Sequence, residues 1–425
     1  KVYKFFTYAN YMKGIFVVLD GVADEPLMKL NDKTPLEYAK TPNLDFFASN
    51  GELYNCFPIA EGIAPQSSSG LISLFGADFR DYSRGILESV GAGIHLNDGD
   101  LALRINFATI DNLNSMKLID RRAGRTLTDK EAVELSNEVN SKLKLPFKFE
   151  LIHTVGHRGV LIFRGGFSDK ITNVDPSYEG GLSIESAQNI ISFSKSTDDL
   201  RKSIVTADLV NTFVRKSYVI LENSVVNANR RKKGFLPANF LLCRDPGIGP
   251  AKTRKLPGLW MGCGYMPLEI GVSKVLGMRV SSFGKIAMLD QDFYNHAELV
   301  LSNAIKSSIK MIESQRDIVD YFYIHFKETD LPGHDNKPLQ KVKFIEMIDK
   351  EFFGNLRNMD LDFKMVVTAD HTTSCKKMTH TSDPVPALFF DFNSIKESKN
   401  RFAEKYSLTQ RAINGRQLLS RTLLR

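Results

Sequence analysis

Cysteine is scarce in this chain: there are four, far apart, and none forms a CxxC pair. This scarcity excludes a disulfide framework and a cysteine zinc knuckle, and it predicts reduced thiols in a cytoplasmic protein. Long apolar runs are also missing, since no stretch approaches the roughly 20 residues that a membrane-spanning helix needs. Residues 1–11 lack the layout of a signal peptide, and we expect them to be an extension ahead of the coherent sequence. The sequence therefore predicts no membrane association.

Strong charge bias is missing as well. The 425 residues carry a formal net charge of +7, which favours anionic partners in general without choosing among them. Basic residues are not interleaved with aromatic ones, a pattern that argues against nucleic acid as a partner. A small phosphorylated metabolite remains as a candidate partner, and the composition leaves open whether the chain forms a homo-oligomer.

The order of the predicted elements indicates the fold class. Apolar strands at 14–19, 320–326 and 363–368 alternate with helical patterns, which is typical of an α/β fold whose mostly parallel sheet has helices on both faces. A chain of this length exceeds one simple core, so we expect two domains. We assign residues 12–95 and 255–425 to one discontinuous domain.

The middle of the chain has a different character. Residues 101–107, 148–152 and 159–163 predict strands with antiparallel spacing, and helical patterns lie near 129–143 and 206–222. We therefore predict that residues 96–254 form a smaller α+β domain inserted into the larger one.

Three of the apolar strands end at an aspartate. Asp20 directly follows the first strand, Asp370 follows a strand near the end of the chain, and Asp330 lies just beyond the strand between them. Ligands of open α/β sheets bind beyond the carboxyl ends of the strands, so three such acids are expected to converge on one crevice.

Histidines accompany two of these acids: His334 lies four residues after Asp330, His371 adjoins Asp370, and His380 follows nine residues later. Carboxylate and imidazole together suit Zn or Mn. A single Asp-His pair at a strand end is more often a cap or a surface pair, but three strand-end acids with three neighbouring histidines predict a metal site.

The local geometry of these pairs can also be predicted. Pro332 and Gly333 between Asp330 and His334 favour a turn rather than a helical i,i+4 pair. Asp370 and His371 would point to opposite faces of a regular strand, so both can serve the site only where the chain has already turned.

A serine-rich loop offers a nucleophile. Ser67, Ser68 and Ser69 lie in a Gly/Pro-containing loop ahead of an apolar helical stretch. Such a run is usually an ordinary turn. Beside a metal pair, however, a serine at a helix start can act as a nucleophile, because metal coordination lowers the pKa of its hydroxyl. The spacing does not choose among the three serines.

Several longer motifs resemble one known family. The segments VVLDGVADEP, SRGILESVGAGI, DRRAGR, IHFKETDLPGHD and VVTADHTTSCKKMTHTSDPVP follow the order and spacing seen in cofactor-independent phosphoglycerate mutases of archaeal type. That family belongs to the alkaline phosphatase superfamily, whose fold we expect here. The resemblance runs from Met12 almost to the C-terminus.

The resemblance implies a site with two divalent metal ions (Mn, Co or Zn, with the identity open) and no 2,3-bisphosphoglycerate. Ser67 would take the phosphoryl group as a phosphoserine and return it to the other hydroxyl of the glycerate. This exchange would interconvert 2- and 3-phosphoglycerate in glycolysis and gluconeogenesis. One metal would be held by Asp20, Ser67, Asp370 and His371, and the other by Asp330, His334 and His380. The substrate would be bound by Arg121, Arg122, Arg125, His157, Arg158, Arg244 and Lys327.

The sequence departs from the family pattern near the substrate. The family loop Gly-Ser-Asp-Thr-Ala-His is here Gln66-Ser-Ser-Ser-Gly-Leu, a family lysine near residue 270 is missing, and a family Asp-Pro-His is Asp175-Pro-Ser. These changes leave three alternatives open: a phosphomonoesterase or phosphonate hydrolase, a paralogue with another phosphorylated acid as substrate, and a binding protein that keeps its metals for structure.

Overall fold

The computed structural model describes residues 13–184, 189–282, 293–359 and 362–425. The predicted extension, residues 1–11, lies outside them. The described strands are β1 (Gly14–Leu19), β2 (Glu52–Phe57), β3 (Leu101–Ile110), β4 (Leu118–Asp120), β5 (Phe149–Val155), β6 (Arg158–Phe163), β7 (Tyr178–Glu179), β8 (Leu182–Ser183), β9 (Phe240–Ile248), β10 (Trp260–Cys263), β11 (Arg279–Ser281), β12 (Tyr321–Phe326), β13 (Lys364–Thr368), β14 (Thr372–Ser374), β15 (Thr379–Thr381), β16 (Val385–Asp391) and β17 (Ala412–Asn414).

The described α-helices are α1 (Pro35–Tyr38), α2 (Pro42–Ser49), α3 (Ser67–Leu74), α4 (Arg84–Gly91), α5 (Asp129–Lys142), α6 (Arg201–Glu222), α7 (Val225–Lys232), α8 (Pro267–Val275), α9 (Phe293–Gln315), α10 (Asp330–His334), α11 (Pro338–Ile348), α12 (Gly354–Asn358), α13 (Glu404–Ser407) and α14 (Gly415–Arg421). Short 3₁₀ turns cover Met28–Leu30, Phe79–Asp81 and Ala123–Arg125, and a π-helical turn, Asp349–Phe353, joins α11 to α12.

Eight strands form the large sheet, in the order β11-β10-β12-β1-β13-β16-β2-β17. Strand β16 pairs antiparallel with both of its neighbours, and the other pairings are parallel. The central strands β1 and β12 are buried along their whole length, as expected for parallel strands covered on two faces. The α/β class with a mostly parallel sheet is confirmed.

A second sheet is built from strands between residues 101 and 248. Strand β3 lies between β6 and β9 and also pairs with β4, while β5 pairs with β6, and all these pairings are antiparallel. Helices α5 and α6 pack against β5 and β9. Helix α4 packs against β3 and β9 and also against α8, so it joins the second sheet to the large one. The domain boundaries at residues 96 and 254 stay a prediction.

The strand order places the site. Strands β12, β1 and β13 are adjacent and parallel, and Leu19 at the end of β1 is paired with Phe326 at the end of β12. On the other side of β1, Val18 is paired with Thr368 at the end of β13. The residues that follow these three strands therefore leave the sheet at the same edge.

The sequence predicts reduced cysteine thiols and no membrane-spanning helix. The four cysteines are unpaired and buried. Among the described residues, no helix combines the length and the apolar character needed to cross a membrane.

Candidate metal centre and facing arginines

The first ligand group lies at the ends of β1 and β13. The ligand atoms of Asp20, Asp370 and His371 all lie within 4.8 Å of one another, and all three residues are fully buried. His371 Nε2 is 3.2 Å from Asp20 Oδ1 and 3.4 Å from Asp370 Oδ2. Ser67 Oγ lies 3.2 Å from the same imidazole nitrogen. One imidazole nitrogen, two carboxylates and one hydroxyl therefore converge.

These groups fit a divalent cation. Asp20 Oδ1 and Asp370 Oδ2 are buried and have no hydrogen-bond partner among the described residues, a cost that proteins rarely accept. Burial lowers the pKa of His371, but the charges of Asp370 and Asp20 outweigh it and raise the pKa to about 9. Burial and the charge of Asp20 raise the pKa of Asp370 to about 6. Two crowded carboxylates that favour positive charge on a neighbouring imidazole are the environment a metal ion would neutralise.

The second ligand group contains Asp330, His334 and His380. Asp330 Oδ1 lies 3.4 Å from His334 Nε2 and 3.6 Å from His380 Nε2, and the two imidazole nitrogens are 3.2 Å apart. The other ring nitrogens are held from outside: His334 Nδ1 lies 3.1 Å from Met378 O, and His380 Nδ1 lies 2.8 Å from Pro65 O. Such contacts orient imidazoles so that Nε2 faces a metal.

Thr373 and a ring stack connect the two groups. The Thr373 hydroxyl donates to Asp330 Oδ1 at 2.7 Å and lies 3.0 Å from His371 Nδ1. The rings of His371 and His380 are stacked with their centroids 3.6 Å apart. The two groups therefore form one continuous centre, at the edge where the strand-end rule places it.

The predicted turn between Asp330 and His334 is wrong, because the structure has a one-turn helix there, α10. Pro332 is tolerated because the first N–H groups of a helix have no partner within the helix, so its missing N–H costs nothing. Asp330 and His334 are therefore an i,i+4 pair on one helical face.

Asp370 and His371 were expected to serve one site only if the chain has turned before it reaches them, and it has. Strand β13 ends at Thr368, so the chain has left the sheet before it reaches these two residues. Two glycines permit the close packing around them. Gly21 has φ +55° and its N–H donates to Asp370 Oδ1, and a Cβ on Gly70 would lie 2.1 Å from Asp370 O.

The three serines have different surroundings. Ser67 is the first residue of α3, and its hydroxyl contacts His371. The Ser69 hydroxyl instead bonds to the backbone N–H and carbonyl of Gln66, each at 3.0 Å. Ser68 and Ser69 line a separate cavity of about 360 Å³.

The second sheet brings three of the predicted arginines to the site already paired with carboxylates. Arg121 donates to Asp175 at 2.5 Å, and Arg244 donates to Asp245 at 3.1 Å. The Tyr178 ring lies against both guanidinium groups, 3.7 Å from that of Arg244 and 4.8 Å from that of Arg121. Both arginines are thereby fixed in orientation.

The third paired arginine, Arg125, contacts a residue beside the second ligand group. Arg125 donates to Asp335, which follows helix α10, and Asp335 also accepts from the Tyr294 hydroxyl at 2.6 Å. A cavity of about 960 Å³ opens here, lined by Arg122 and Arg125 on one side and by His334 and Lys337 on the other.

Arg122, His157 and Arg158 differ from these. Neither Arg122 nor Arg158 forms an ion pair with any part of the chain that the structure describes. Burial and the charges of Arg125 and Arg121 lower the pKa of Arg122 to about 10. Burial also lowers the pKa of Arg158, and burial with the charge of Arg158 lowers that of His157 well below its ordinary range. This cluster has more positive charge than its surroundings neutralise, as an anion-binding site requires.

Lys327 lies among carboxylates. Its ammonium donates to Asp20 and, at 3.0 Å, to Glu269 Oε1. Glu269 and His325 are buried beside Asp20, and sequence reasoning missed both. Glu269 lies in the first turn of α8, six residues beyond the end of β10, so the rule of an acid directly after a strand does not find it. His325 lies within the apolar strand β12, where an apolar run conceals it.

Comparisons with known proteins first identify the class of enzyme to which this chain is similar. Residues 291–414, which carry Asp330, His334, Asp370, His371 and His380, match the metalloenzyme superfamily. Residues 48–227 match the family described as 2,3-bisphosphoglycerate-independent phosphoglycerate mutase.

Relatives over the full length give the family. The chain is 35% identical to the 2,3-bisphosphoglycerate-independent phosphoglycerate mutase of Thermococcus kodakarensis, over 88% of this chain and 87% of that one. It is 34% identical to the enzyme of the same name from Aeropyrum pernix, over 97% and 99% of the two chains. The chain therefore belongs to the family of 2,3-bisphosphoglycerate-independent phosphoglycerate mutases.

Solved structures agree with this assignment. A protein from Pyrococcus horikoshii has a TM-score of 0.72 at 27% identity and covers 97% of each chain. The cofactor-independent phosphoglycerate mutase of Thermoplasma acidophilum has a TM-score of 0.55 at 28% identity, over 97% of this chain and 99% of that one. The resemblance inferred from the motifs is confirmed.

Proposed function

We propose that this protein is a cytoplasmic isomerase that interconverts 2- and 3-phosphoglycerate, in glycolysis and gluconeogenesis, through a phosphoserine on Ser67. Membership of the family supplies the overall reaction. The observation that carries the proposed chemistry is the position of Ser67 Oγ, 3.2 Å from His371 Nε2. Beside it lie two buried carboxylate oxygens that have no hydrogen-bond partner within the described part of the chain. A hydroxyl at that point is suited to attack a phosphate that a metal pair neutralises.

We assign two divalent metal ions to the two ligand groups. Such ions supply neutralisation of phosphate charge and lower the pKa of a coordinated hydroxyl. Carboxylates with imidazoles suit Mn, Co or Zn, and the donor set does not choose among them. One ion would be held by Asp20, Ser67, Asp370 and His371, and the other by Asp330, His334 and His380.

Ser67 and the glycerate exchange one phosphoryl group. The serine oxygen forms a bond to phosphorus while the bond from phosphorus to the substrate oxygen breaks, so the glycerate regains a hydroxyl. The glycerate then presents its other hydroxyl, which takes the phosphoryl group back and restores the serine. No water is consumed, and the two steps balance to an isomerisation.

The arginines of the second sheet retain the glycerate between these steps. Arg122 and Arg158 are buried and form no ion pair within the described residues, so they are the groups suited to hold the substrate carboxylate. Arg121 and Arg244 are already oriented by Asp175 and Tyr178. Retention and exclusion of water separate a mutase from a hydrolase that uses the same first step.

The product of an assay with 3-phosphoglycerate tests the proposal. We expect 2-phosphoglycerate to form in the presence of Mn²⁺ without added 2,3-bisphosphoglycerate. Release of inorganic phosphate without 2-phosphoglycerate would instead establish the hydrolase alternative. Binding of 3-phosphoglycerate without turnover in Mn²⁺, Co²⁺ or Zn²⁺ would establish the binding protein.

Substitution of single serines tests the nucleophile. Ser67→Ala is expected to abolish transfer and to leave the fold intact, because loss of one hydroxyl at a helix start opens no core cavity. Ser69→Ala is the matched control, since among the described residues the Ser69 hydroxyl bonds only to the backbone of Gln66. Mass spectrometry of acid-quenched enzyme should detect phosphoserine in the wild type and in the control, but not in Ser67→Ala. Full activity of Ser67→Ala would move the nucleophile to Ser68 or Ser69.

A further inference from the structure

A left-handed turn adjoins three of the arginines at the site. Ala123, Gly124 and Arg125 follow one another with φ of 48°, 69° and 56°. L side chains disfavour this conformation, and glycine alone among the three adopts it freely. Arg121 and Arg122 directly precede the turn, and Arg125 ends it. The backbone of the turn therefore sets the directions in which these arginine side chains leave the chain.

The N–H groups of the turn are held by the residue at the end of β4. Asp120 Oδ1 accepts hydrogen bonds from Arg122 N at 2.7 Å and from Gly124 N at 2.9 Å. An aspartate that accepts from the backbone two residues further on is an ordinary turn contact. It satisfies donors of the turn and leaves the carbonyl groups to other partners.

The carbonyl groups of the turn are held by Arg230 of α7. Its Nη2 donates to Ala123 O at 3.2 Å and to Thr126 Oγ1 at 2.8 Å, and its Nη1 donates to Thr126 O at 3.0 Å. Two further bonds fix the guanidinium itself, from Nη1 to Glu131 Oε2 at 2.9 Å and from Nε to Leu236 O at 3.0 Å. A guanidinium has five N–H donors, so these five hydrogen bonds use its full capacity.

The position of Arg230 separates it from the arginines that face the substrate. Its side chain is fully buried, and the described residues that line the cavity of about 960 Å³ include Arg122 and Arg125 but not Arg230. A buried charge is costly, and an apolar side chain would fill the same space without that cost. A planar fork of donors is needed, however, where two backbone carbonyls must be held at once.

We propose that Arg230 is a positioning residue for substrate binding, because its guanidinium holds residues 123–126 in the left-handed turn that directs Arg122 and Arg125 into the cavity. The inference rests on the proposed function, which takes these arginines as groups that retain the glycerate. Strained backbone persists where its surroundings hold it, so the turn relaxes when these bonds are lost. The glycerate then leaves early, and water takes the phosphoryl group from the phosphoserine as inorganic phosphate and restores the serine.

Kinetics of Arg230→Lys test the inference. Lysine keeps the charge beside Glu131 but replaces the fork with one ammonium. In the full chain with Mn²⁺, we expect the KM for 3-phosphoglycerate to rise about tenfold, with the metal content unchanged. The fraction of turnovers that release inorganic phosphate should rise as well. Arg231→Lys is the matched control, since this neighbour in α7 pairs with Glu222, and it should leave both quantities as in the wild type.

Hydrogen exchange measured by mass spectrometry reports on the turn without substrate. The backbone N–H groups of Gly124 and Arg125 are hydrogen-bonded, and in Arg230→Lys we expect them to exchange about tenfold faster while those of β3 keep their wild-type rates. If Arg230→Lys does not fold, Thr126→Val keeps the guanidinium and removes one of its acceptors. That variant should raise the KM about two- to threefold and speed exchange at the same two residues.

A second substitution should restore part of the loss. Ala123→Gly in the Arg230→Lys background removes a side chain that opposes the left-handed conformation, so the KM should fall about threefold from that of the single variant. An unchanged KM with unchanged exchange at Gly124 in folded Arg230→Lys, or a double variant no better than the single one, would overturn the inference. A wild type that forms no 2-phosphoglycerate would contradict the proposed function instead, and exchange at Gly124 would still test the hold of Arg230 on the turn.

Discussion

Two facing regions of this molecule handle charge in opposite ways. At the edge of the large sheet, Asp20, Asp330 and Asp370 lie beside imidazoles, and two of the buried carboxylate oxygens have no hydrogen-bond partner in the described ranges. The second sheet presents arginines, of which Arg122 and Arg158 have no ion pair within the described residues. Acidic groups therefore outnumber cations at the sheet edge, where Lys327 pairs with Asp20 and Glu269, whereas unpaired positive charge remains among the arginines.

The difference shows what each region is built to receive. Unpaired buried charge is costly, and proteins keep it where a ligand completes it. In the proposed function, cations complete the first region and an acid completes the second. A phosphorylated acid bound between them would satisfy both at once, with its phosphate toward the edge of the large sheet and its carboxylate toward the arginines.

The largest expected effect on activity comes from removing a carboxylate of the first ligand group. Asp370→Asn removes one carboxylate charge from the first ligand group, so we expect a loss of bound metal and a fall in kcat/KM of about a thousandfold, since a metal ion supplies several kcal/mol of transition-state stabilisation. Elemental analysis and the mutase assay measure the two effects. The control is Asp391→Asn, a carboxylate at the end of β16 that lies 4.0 Å from the Lys364 ammonium. Retention of metal and activity in Asp370→Asn would contradict the assigned ligand group.

A smaller effect is expected on the arginine side. Arg158→Gln removes a charge suited to the substrate carboxylate, and we expect kcat/KM to fall about ten- to a hundredfold with the metal content unchanged. The matched control is Arg231→Gln, since Arg231 lies in α7 and pairs with Glu222. Steady-state kinetics with 3-phosphoglycerate measure the change. If Arg158→Gln lost bound metal while its affinity for substrate stayed unchanged, the assignment of substrate binding to the arginines and metal binding to the sheet edge would be wrong.

The smallest expected effect concerns the ion pair that joins the arginines to the ligand groups. Arg125 pairs with Asp335 beside the second ligand group, and both side chains are partly buried. A double-mutant cycle with Arg125→Ala and Asp335→Ala should give a coupling of about 1 kcal/mol in kcat/KM, or about fivefold. Fully additive effects of the two substitutions would show that the pair does not contribute to closure over the substrate.

Most residues of the two ligand groups could be predicted from the sequence, because each is marked by a local pattern in the chain. Parallel strands are long apolar runs, and the residue that follows each run is readable without knowledge of the sheet order. The prediction failed at Asp330–His334, where Pro332 and Gly333 favour a turn. A proline in the first turn of a helix costs little, so the surrounding contacts decide between turn and helix.

The sequence by itself determined the class of the fold, the acids and histidines at the strand ends, and the family. The tertiary structure alone decided which serine faces the metal groups and which arginines keep their charge unpaired. It also brought Glu269 of α8, His325 of β12 and Lys327, which follows β12, to Asp20. Pairing and burial depend on residues hundreds of positions apart, and no local pattern records such contacts.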